Sequence, residues 1–167
     1  MQVSNKVGLG HGPYGAAVVC IEDIQPGEVL FRLTGKQTVS PHKYTAQLDR
    51  DLHVDPGEEL WAMANHACQP NCFLDFSLHQ MVALTPIKPN EEITFNYLSS
   101  EWELAAPFDC GCEATHCPGT IRGFRYLDDP QREAIRDLLS PFLIRQLHRE
   151  KHDDQGDALH TTHGTAN

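Results

Sequence analysis

Two short stretches of the chain concentrate the residues that could bind a metal ion. One segment carries three of the six cysteines, Cys110, Cys112 and Cys117. Three thiolates leave the tetrahedral four-ligand shell of a structural zinc site incomplete. We therefore expect a fourth ligand from the other cluster, about forty residues earlier, where Cys68 and Cys72 are both candidates. His116, which precedes Cys117, is a further alternative ligand.

The composition is that of a single globular domain. The chain has 167 residues, of which 40% are hydrophobic and 22% charged. No apolar run is long enough for a membrane span, and no signal peptide opens the chain. Because C-x-C spacing favours metal over a disulfide framework, we expect a reducing, intracellular location in the cytoplasm or nucleus.

The acidic balance bears on the choice of partner. The formal net charge is −10, and no run of Lys and Arg supplies the basic patch that nucleic-acid binding normally requires. An acidic surface suits a lysine-rich peptide or protein. Acidic charge also simply keeps proteins soluble, so charge alone does not identify a partner.

The first hundred residues are predicted to form short strands separated by Pro and Gly turns. Apolar or alternating runs with many β-branched and aromatic residues occur at Ala16–Ile21, Val29–Leu33, Cys72–Leu78, Met81–Ile87 and Ile93–Leu98. The segments that begin at Ile24 and Ile87 resemble each other. Each has Pro followed by Gly or Asn, then an acidic residue and an apolar strand, which indicates paired β-hairpins.

Apart from a possible helical turn near Glu58 to Ala64, helices are predicted only after the second cysteine cluster. Asp128 or Asp129 would cap a helix with Pro130 in its first turn. Ser140-Pro141 would end or restart it, and an apolar face would continue to about Lys151. From His152 onward the chain is polar, so disorder is expected there, with His160 and His163 in the tail.

Four motifs, in order, resemble those of SET-domain protein lysine methyltransferases. Asn65–Asn71 (NHACQPN) resembles their N-H-S-C-x-P-N, and Glu91–Tyr97 (EEITFNY) resembles their G-E-E-L-T-x-D-Y. Cys110–Gly119 matches the post-SET pattern C-x-C-x-x-x-x-C-x-G. Gly12–Ala16, followed by Asp23–Glu28, resembles the opening glycine turn and D-I-x-x-G-E.

The resemblance implies a mainly β fold, the SET β-clip of small twisted sheets. The Asn65 and Tyr97 segments would cross in a knot-like arrangement, and helices would follow. It divides the chain into a SET domain (1–107), a post-SET zinc segment (108–123), a helical extension (124–151) and a disordered tail (152–167). Zinc would be held by Cys68, Cys110, Cys112 and Cys117.

The resemblance also implies an enzyme that transfers methyl from S-adenosylmethionine to the ε-amine of lysine in a basic protein such as a histone. Tyr97 would act at the methyl-transfer centre, with Phe95 lining the lysine channel and Tyr44 nearby. A phenol can position the amine, and aromatic walls attract a cationic head. Phe at position 95 leaves room for di- or trimethylation. The cofactor-binding residues would be Pro13, Tyr14, Gly15, Tyr44, Asn65, His66 and Tyr97.

Several departures from the family pattern leave alternatives. Leu33 and Ala46 stand where many members have aromatic residues, and Asn96 replaces an Asp, so a catalytically weak SET-fold binding or scaffold module is one rival. A small zinc-ribbon-like interaction domain is a second rival. The substrate-reading insert is nearly absent between Tyr44 and Glu59. Peptide recognition is then expected to be minimal, or to come from a partner or a homodimer.

Overall fold

The computed structural model describes residue 1 and residues 3–160, with side chains as far as Glu150. Short strands dominate the first three quarters of this range, and helices close it. In chain order the strands are β1 (Val7–Gly12), β2 (Gly15–Cys20), β3 (Val29–Arg32), β4 (Lys36–Thr38), β5 (Ala46–Asp49), β6 (Leu52–Asp55), β7 (Asn65–His66), β8 (Cys72–Asp75), β9 (Gln80–Ala83), β10 (Thr94–Phe95), β11 (Phe108–Asp109) and β12 (Thr120–Ile121).

The strands form several small sheets, as the prediction of a SET β-clip requires. Two sheets have three strands each, in the orders β3-β9-β8 and β4-β6-β5, and the pairs β1-β2, β7-β10 and β11-β12 form two-stranded sheets. All these pairings are antiparallel except β7-β10. In β8 the side chains alternate, with Cys72 and Leu74 buried, because successive strand residues point to opposite faces.

The two similar turn segments pair with each other. Ile24 and Ile87 exchange backbone N–H to carbonyl hydrogen bonds, both of 3.0 Å. The turn residues that follow, Gly27 and Asn90, have φ of 86° and 72°. This left-handed conformation suits Gly and Asn, which explains the residue types at the equivalent positions.

The helices begin where the cap signals predict them. Helix α1 (Asp129–Ala134) is capped by Asp128, whose carboxylate accepts from the Gln131 backbone N–H while the Gln131 side chain accepts from the Asp128 N–H. Helix α2 begins at Pro141 and ends at His160. It therefore continues into the segment predicted to be disordered, and residues 161–167, with His163, lie outside the described residues.

Other strand predictions were longer than the observed elements. The run Ile93–Leu98 contains only the two-residue β10, because Asn96 caps a short 3-10 helix at Tyr97–Ser99. Further 3-10 helices occupy Leu60–Met63, Phe124–Tyr126 and Arg136–Leu138. Strands β1, β4, β5 and β6 were not predicted. Glycines interrupt β1 and β4 is polar throughout, while β5 and β6 do alternate apolar and polar residues but have only four residues each, which makes the pattern weak.

Two hydrophobic clusters make the core. The first fills the space among the sheets and includes Phe31, Trp61 and Met81, each at most 2% exposed. The second lies beyond Tyr97, where Phe124, Ile121 and Leu143 are fully buried. No helix in the described part of the chain has the length and apolar character needed to cross a membrane.

Candidate active site and metal centre

A cavity of about 600 Å³ lies between the small sheets and the cysteine-rich segment. Cavities of this size hold small-molecule ligands and cofactors. Its wall includes most of the residues predicted to act in catalysis or to bind the cofactor: Tyr14, Tyr44, Asn65, His66, Phe95 and Tyr97. Pro13 and Gly15 flank Tyr14 in the turn between β1 and β2 but do not line the cavity.

Tyr97 is fixed in the wall by hydrogen bonds from both its backbone and its side chain. Its hydroxyl donates to the Ala64 carbonyl at 3.0 Å, and its backbone N–H donates to His66 Nδ1 at 3.1 Å. Burial, and then the negative charge of Glu92, raises the pKa of Tyr97 above its usual value. The hydroxyl is therefore neutral near pH 7, and its oxygen lone pairs can accept a hydrogen bond from a ligand amine.

Aromatic rings surround Tyr97. The Phe95 ring centroid lies 4.8 Å from that of Tyr97, and Phe95 is 8% exposed. Phe108, which the sequence prediction missed, lies 6.1 Å from Tyr97 and 5.8 Å from His66, centroid to centroid. Tyr44 stands at the exposed side, with Lys43 Nζ 4.6 Å from its ring centroid. Such a wall packs an alkyl chain and attracts a cationic head.

The parallel pair β7-β10 brings the two main motifs together. Asn65 lies opposite Thr94, and His66 lies opposite Phe95. This pairing places the Asn65 and Tyr97 segments side by side, as the predicted crossing requires. Two polar side chains reinforce the junction: Asn71 Nδ2 donates to the Glu92 carbonyl at 2.7 Å, and Asn96 Nδ2 donates to the Cys68 carbonyl at 3.4 Å.

Asn65 also connects this junction to the opening glycine turn. Its amide nitrogen donates to Glu92 Oε1 at 2.6 Å and to the Ala16 carbonyl at 3.3 Å. The Glu92 carboxylate lies so close to Gly12 that an added Cβ there would be 2.6 Å from Oε2. A side chain at position 12 would therefore have to displace the Glu92 carboxylate, while Gly15, with φ of 112°, is required for the turn itself.

His66 connects the cavity to the cysteine cluster. Because Nδ1 accepts from the Tyr97 N–H, the ring proton lies on Nε2, which is 3.3 Å from Cys68 Sγ. Burial lowers the pKa of His66 to about 4, so the ring is neutral at physiological pH. The same side chain thus orients the Tyr97 backbone and contacts a cysteine predicted to bind zinc.

Four cysteines converge as predicted from the two sequence clusters. Their sulfur atoms all lie within 4.8 Å of one another, in the set Cys68, Cys110, Cys112 and Cys117. The sulfurs of Cys68 and Cys110 are 4.0 Å apart, close to the ~3.8 Å between sulfurs bound tetrahedrally to zinc at 2.3 Å. The donor set and spacing therefore fit a structural zinc ion.

The alternative ligands are not part of this group. Cys72 is fully buried in β8, and burial raises the pKa of its thiol to about 12. Cys20 is buried in β2, as expected for a small core residue, and His116 is exposed beside Cys117. Within the cluster, burial raises the pKa of Cys112, but the Ala114 N–H and the neighbouring thiols outweigh it and lower that pKa to about 7.

The cysteine-rich segment forms one side of the cavity. Cys110 donates its N–H to the Gly119 carbonyl at 2.7 Å, within the hairpin β11-β12. Residues 104–110 line the cavity from this side. The Tyr14 hydroxyl extends across from the opening turn and would be 3.2 Å from a Cβ at Gly111. The part played by residues 104–108 was not predicted, because a short polar-apolar loop has no periodic pattern.

Comparison with known proteins agrees with this architecture. The family model of the SET domain matches residues 15–98. The chain is 28% identical over 117 residues to Methyltransferase flvH of Aspergillus flavus, an alignment that covers 68% of the chain and 65% of that protein. It is 29% identical over 133 residues to a histone-lysine N-methyltransferase, H3 lysine-36 specific, of Coccidioides immitis, covering 66% of the chain and 13% of that protein.

Solved structures show the same fold. The crystal structure of KRYPTONITE in complex with mCHG DNA and SAH aligns with a TM-score of 0.53 and 23% identity, over 65% of this chain and 27% of that one. A second KRYPTONITE structure, with mCHH DNA, an H3(1-15) peptide and SAH, aligns with a TM-score of 0.53 and 24% identity, over 68% of this chain and 29% of that one.

The β-clip of small sheets and the family model that matches half of the chain together define its class. The chain belongs to the SET domain family. It spans 65% of the length of the Aspergillus relative and 13% of the Coccidioides relative.

Proposed function

We propose that the chain is a protein-lysine N-methyltransferase that uses S-adenosylmethionine. The main observation in its favour is the position of Tyr97 in the wall of the cavity. Its hydroxyl donates a hydrogen bond to the Ala64 carbonyl, and the rings of Phe95 and Phe108 lie beside its own ring. The similarity to histone-lysine N-methyltransferases and to SAH-bound structures supports the proposal. The substrate would be a lysine in a basic protein such as a histone, and the location nuclear or cytoplasmic.

The residues of the cavity would act together on the substrate amine. When bound, S-adenosylmethionine supplies an electrophilic methyl group. The Tyr97 hydroxyl would accept a hydrogen bond from the amine and hold its lone pair in line with that group. Phe95 and Phe108 would exclude water from the reacting nitrogen. Asn65, His66 and the turn Pro13-Tyr14-Gly15 would hold the cofactor on the opposite side, with Tyr44 at the opening.

Zinc at the four cysteines would have a structural part in this proposal. It would hold residues 104–110 against the cavity and thereby complete one wall. The acidic net charge of −10 supports a basic protein partner. Because the segment between Tyr44 and Glu59 is short, we also predict that a homodimer supplies part of the substrate contacts.

The test is transfer of radiolabelled methyl from S-adenosylmethionine to histones, to a lysine-rich cell extract and to free lysine. We expect label on a protein band, and a loss of about 100-fold or more in Tyr97→Phe, since removing one positioned polar group at a transition state costs this much. Binding of S-adenosylhomocysteine should survive the substitution. Label on free lysine alone would contradict a protein substrate.

The same experiment distinguishes the methyltransferase from the rival function, a SET-fold binding or scaffold module. Cofactor binding without label on any substrate would favour it. One observation weighs against it: Asn96, one of the departures that suggested the rival, is buried and still caps the helix at Tyr97, accepting from the Leu98 N–H at 3.0 Å. The change from Asp therefore preserves the hydrogen bonds of that position.

A further inference from the structure

The wall of the cavity contains a buried carboxylate to which the proposed mechanism gives no role. Glu101 lies four residues after Tyr97, lines the same cavity and is 9% exposed. Burying a carboxylate without a compensating partner is costly, so such a group is normally paired or bound to a ligand. No ion pair among the described residues includes Glu101.

The backbone around Glu101 is firmly held. Its N–H donates to the Tyr97 carbonyl at 3.0 Å, and its carbonyl accepts from the Phe124 N–H at 2.8 Å. These two bonds connect it to the proposed methyl-transfer residue on one side and to the second hydrophobic cluster on the other. Its side chain therefore starts from a fixed point beside Tyr97.

The two carboxylate oxygens have different surroundings. Oε1 accepts from the Gln47 N–H at 2.8 Å and from the Ser100 hydroxyl at 3.2 Å. Nothing in the described part of the chain donates to Oε2. Among the described residues, the fully enclosed side-chain atoms without a partner are His53 Nδ1 and Gln146 Oε1, so Oε2 is not fully enclosed. Because Glu101 lines the cavity, we infer that the free side of Oε2 lies there.

The charge of Glu101 responds to its surroundings. Burial raises the pKa of this carboxyl to about 7, although the Gln47 N–H and the Ser100 hydroxyl lower it. A group with such a pKa can lose or accept a proton near neutral pH, and a cation beside it would favour the ionised form. After burial and the charge of Glu92, the charge of Glu101 contributes in turn to the raised pKa of Tyr97.

A small side chain lies next to the residue that anchors the carboxylate. Ala46 lines the cavity, and the next residue, Gln47, donates its N–H to Oε1. A carboxylate attracts an ammonium group more strongly than an aromatic face does. Glu101 therefore adds a buried negative charge to a wall that also contains aromatic rings.

We propose that Glu101 Oε2 binds the ε-ammonium of the substrate lysine and accepts its proton before methyl transfer. This inference rests on the proposed function. An N–H bond of the ammonium breaks and an O–H bond forms on Glu101. The freed nitrogen lone pair then forms the N–C bond to the methyl as the C–S bond breaks, with its electron pair left on sulfur. The Glu101 carboxylic acid afterwards returns the proton to water.

The test measures binding, so it needs no identified protein substrate. The probes are S-adenosylhomocysteine and two analogues in which nitrogen replaces sulfur and carries a 2-aminoethyl or a propyl chain. The chains have the same length and differ by an ammonium against a methyl group. By calorimetry, the wild type should bind the aminoethyl analogue about tenfold or more tightly than the propyl analogue, as expected for a hydrogen bond to a charged group.

Glu101→Gln should reduce that ratio to near one without changing the affinity for S-adenosylhomocysteine, because the amide oxygen can still accept from Gln47 and Ser100. Glu103→Gln is the matched control, since it makes the same substitution at an exposed carboxylate two residues away that does not line the cavity, and it should keep the ratio. A ratio near one in the wild type, or an unchanged ratio in Glu101→Gln, would overturn the inference. Failure of wild type to bind S-adenosylhomocysteine would instead overturn the proposed function and the inference with it.

Discussion

The two sides of the cavity are built by different means. The β region, residues 3–97, has sheets of up to three strands around a large apolar core that includes Phe31 and Trp61. The cap region, residues 98–150, has one hairpin of two-residue strands, helix α1, the first half of α2 and a smaller core around Phe124. Backbone pairing can hold the first region together, whereas the second has few ladder hydrogen bonds and a cluster of four cysteines.

This difference indicates how the site is stabilised. Asn65, Phe95 and Tyr97 stand on or beside paired strands of the β region, so their positions follow from its packing. Residues 104–110, on the other side, depend for their position on the cysteine cluster that follows them in sequence. We therefore expect the cap region to unfold more easily than the β region.

Loss of zinc should produce the largest difference between the two regions. Chelation, or Cys112→Ser, is expected to abolish methyl transfer while the β region stays folded, because structural zinc contributes about 10 kcal/mol or more to small folds. Circular dichroism and hydrogen exchange would follow the two regions separately. Cys72→Ser is the matched control, since Cys72 lies outside the cluster; full activity after zinc removal would contradict the proposed wall.

Truncation of one core phenylalanine in each region should show whether the two regions unfold independently. Phe31→Ala and Phe124→Ala remove fully buried side chains and should each cost about 3–5 kcal/mol. Native-state hydrogen exchange would show where this free energy is lost. We expect Phe31→Ala to weaken protection throughout the molecule and Phe124→Ala to weaken it in the cap region; equal loss everywhere in both variants would mean one cooperative unit.

The pH dependence of the free energy of unfolding should reveal the raised pKa of Glu101. Its pKa is 4.5 in the unfolded chain and about 7 in the folded protein, so the folded state holds the extra proton between these values. Stability should therefore fall as pH rises from 4.5 to 7, by about 3 kcal/mol in total. Glu101→Gln removes this cost. Its stability advantage over wild type, measured by urea unfolding, should grow from pH 5 to pH 8; a constant difference would show an unshifted carboxyl.

The smallest effect is expected at the cap of α1. Asp128→Ala removes the acceptor for the Gln131 N–H, a contact of 2.9 Å, and should cost about 1 kcal/mol. Asp128→Asn retains an acceptor and serves as the control. Thermal unfolding should show the loss in the alanine variant without a change in cofactor affinity, since α1 lies away from the cavity wall.

The features that the sequence predicts follow the same division. They are the motifs around Asn65 and Tyr97 and the convergence of four cysteines, because residue types and spacing carry the chemistry of those sites. The choice of Cys68 rather than Cys72 as the fourth predicted zinc ligand came from the family resemblance, and the alternation in β8 agrees with it, since Cys72 points into the core.

Other features could not be predicted because they depend on tertiary contacts. In the sequence, Glu101 looks like an ordinary acidic residue after a predicted strand. Its burial becomes clear only in the structure, where Gln47 from β5 packs against it and donates to its carboxylate. Phe108 enters the site through the fold of the cysteine hairpin. The shortness of β10 follows from the cap formed by Asn96, a local hydrogen bond that competes with the strand.

The central claim is that one cofactor site is formed by both regions, and hydrogen–deuterium exchange with and without S-adenosylhomocysteine tests it most directly. Ligand binding should slow exchange in both regions: at Asn65 to Ala67 and at Tyr97 in the β region, and at residues 104–110 in the cap region. Protection confined to the β region would contradict the proposed wall. Absence of protection in both regions would contradict the site itself.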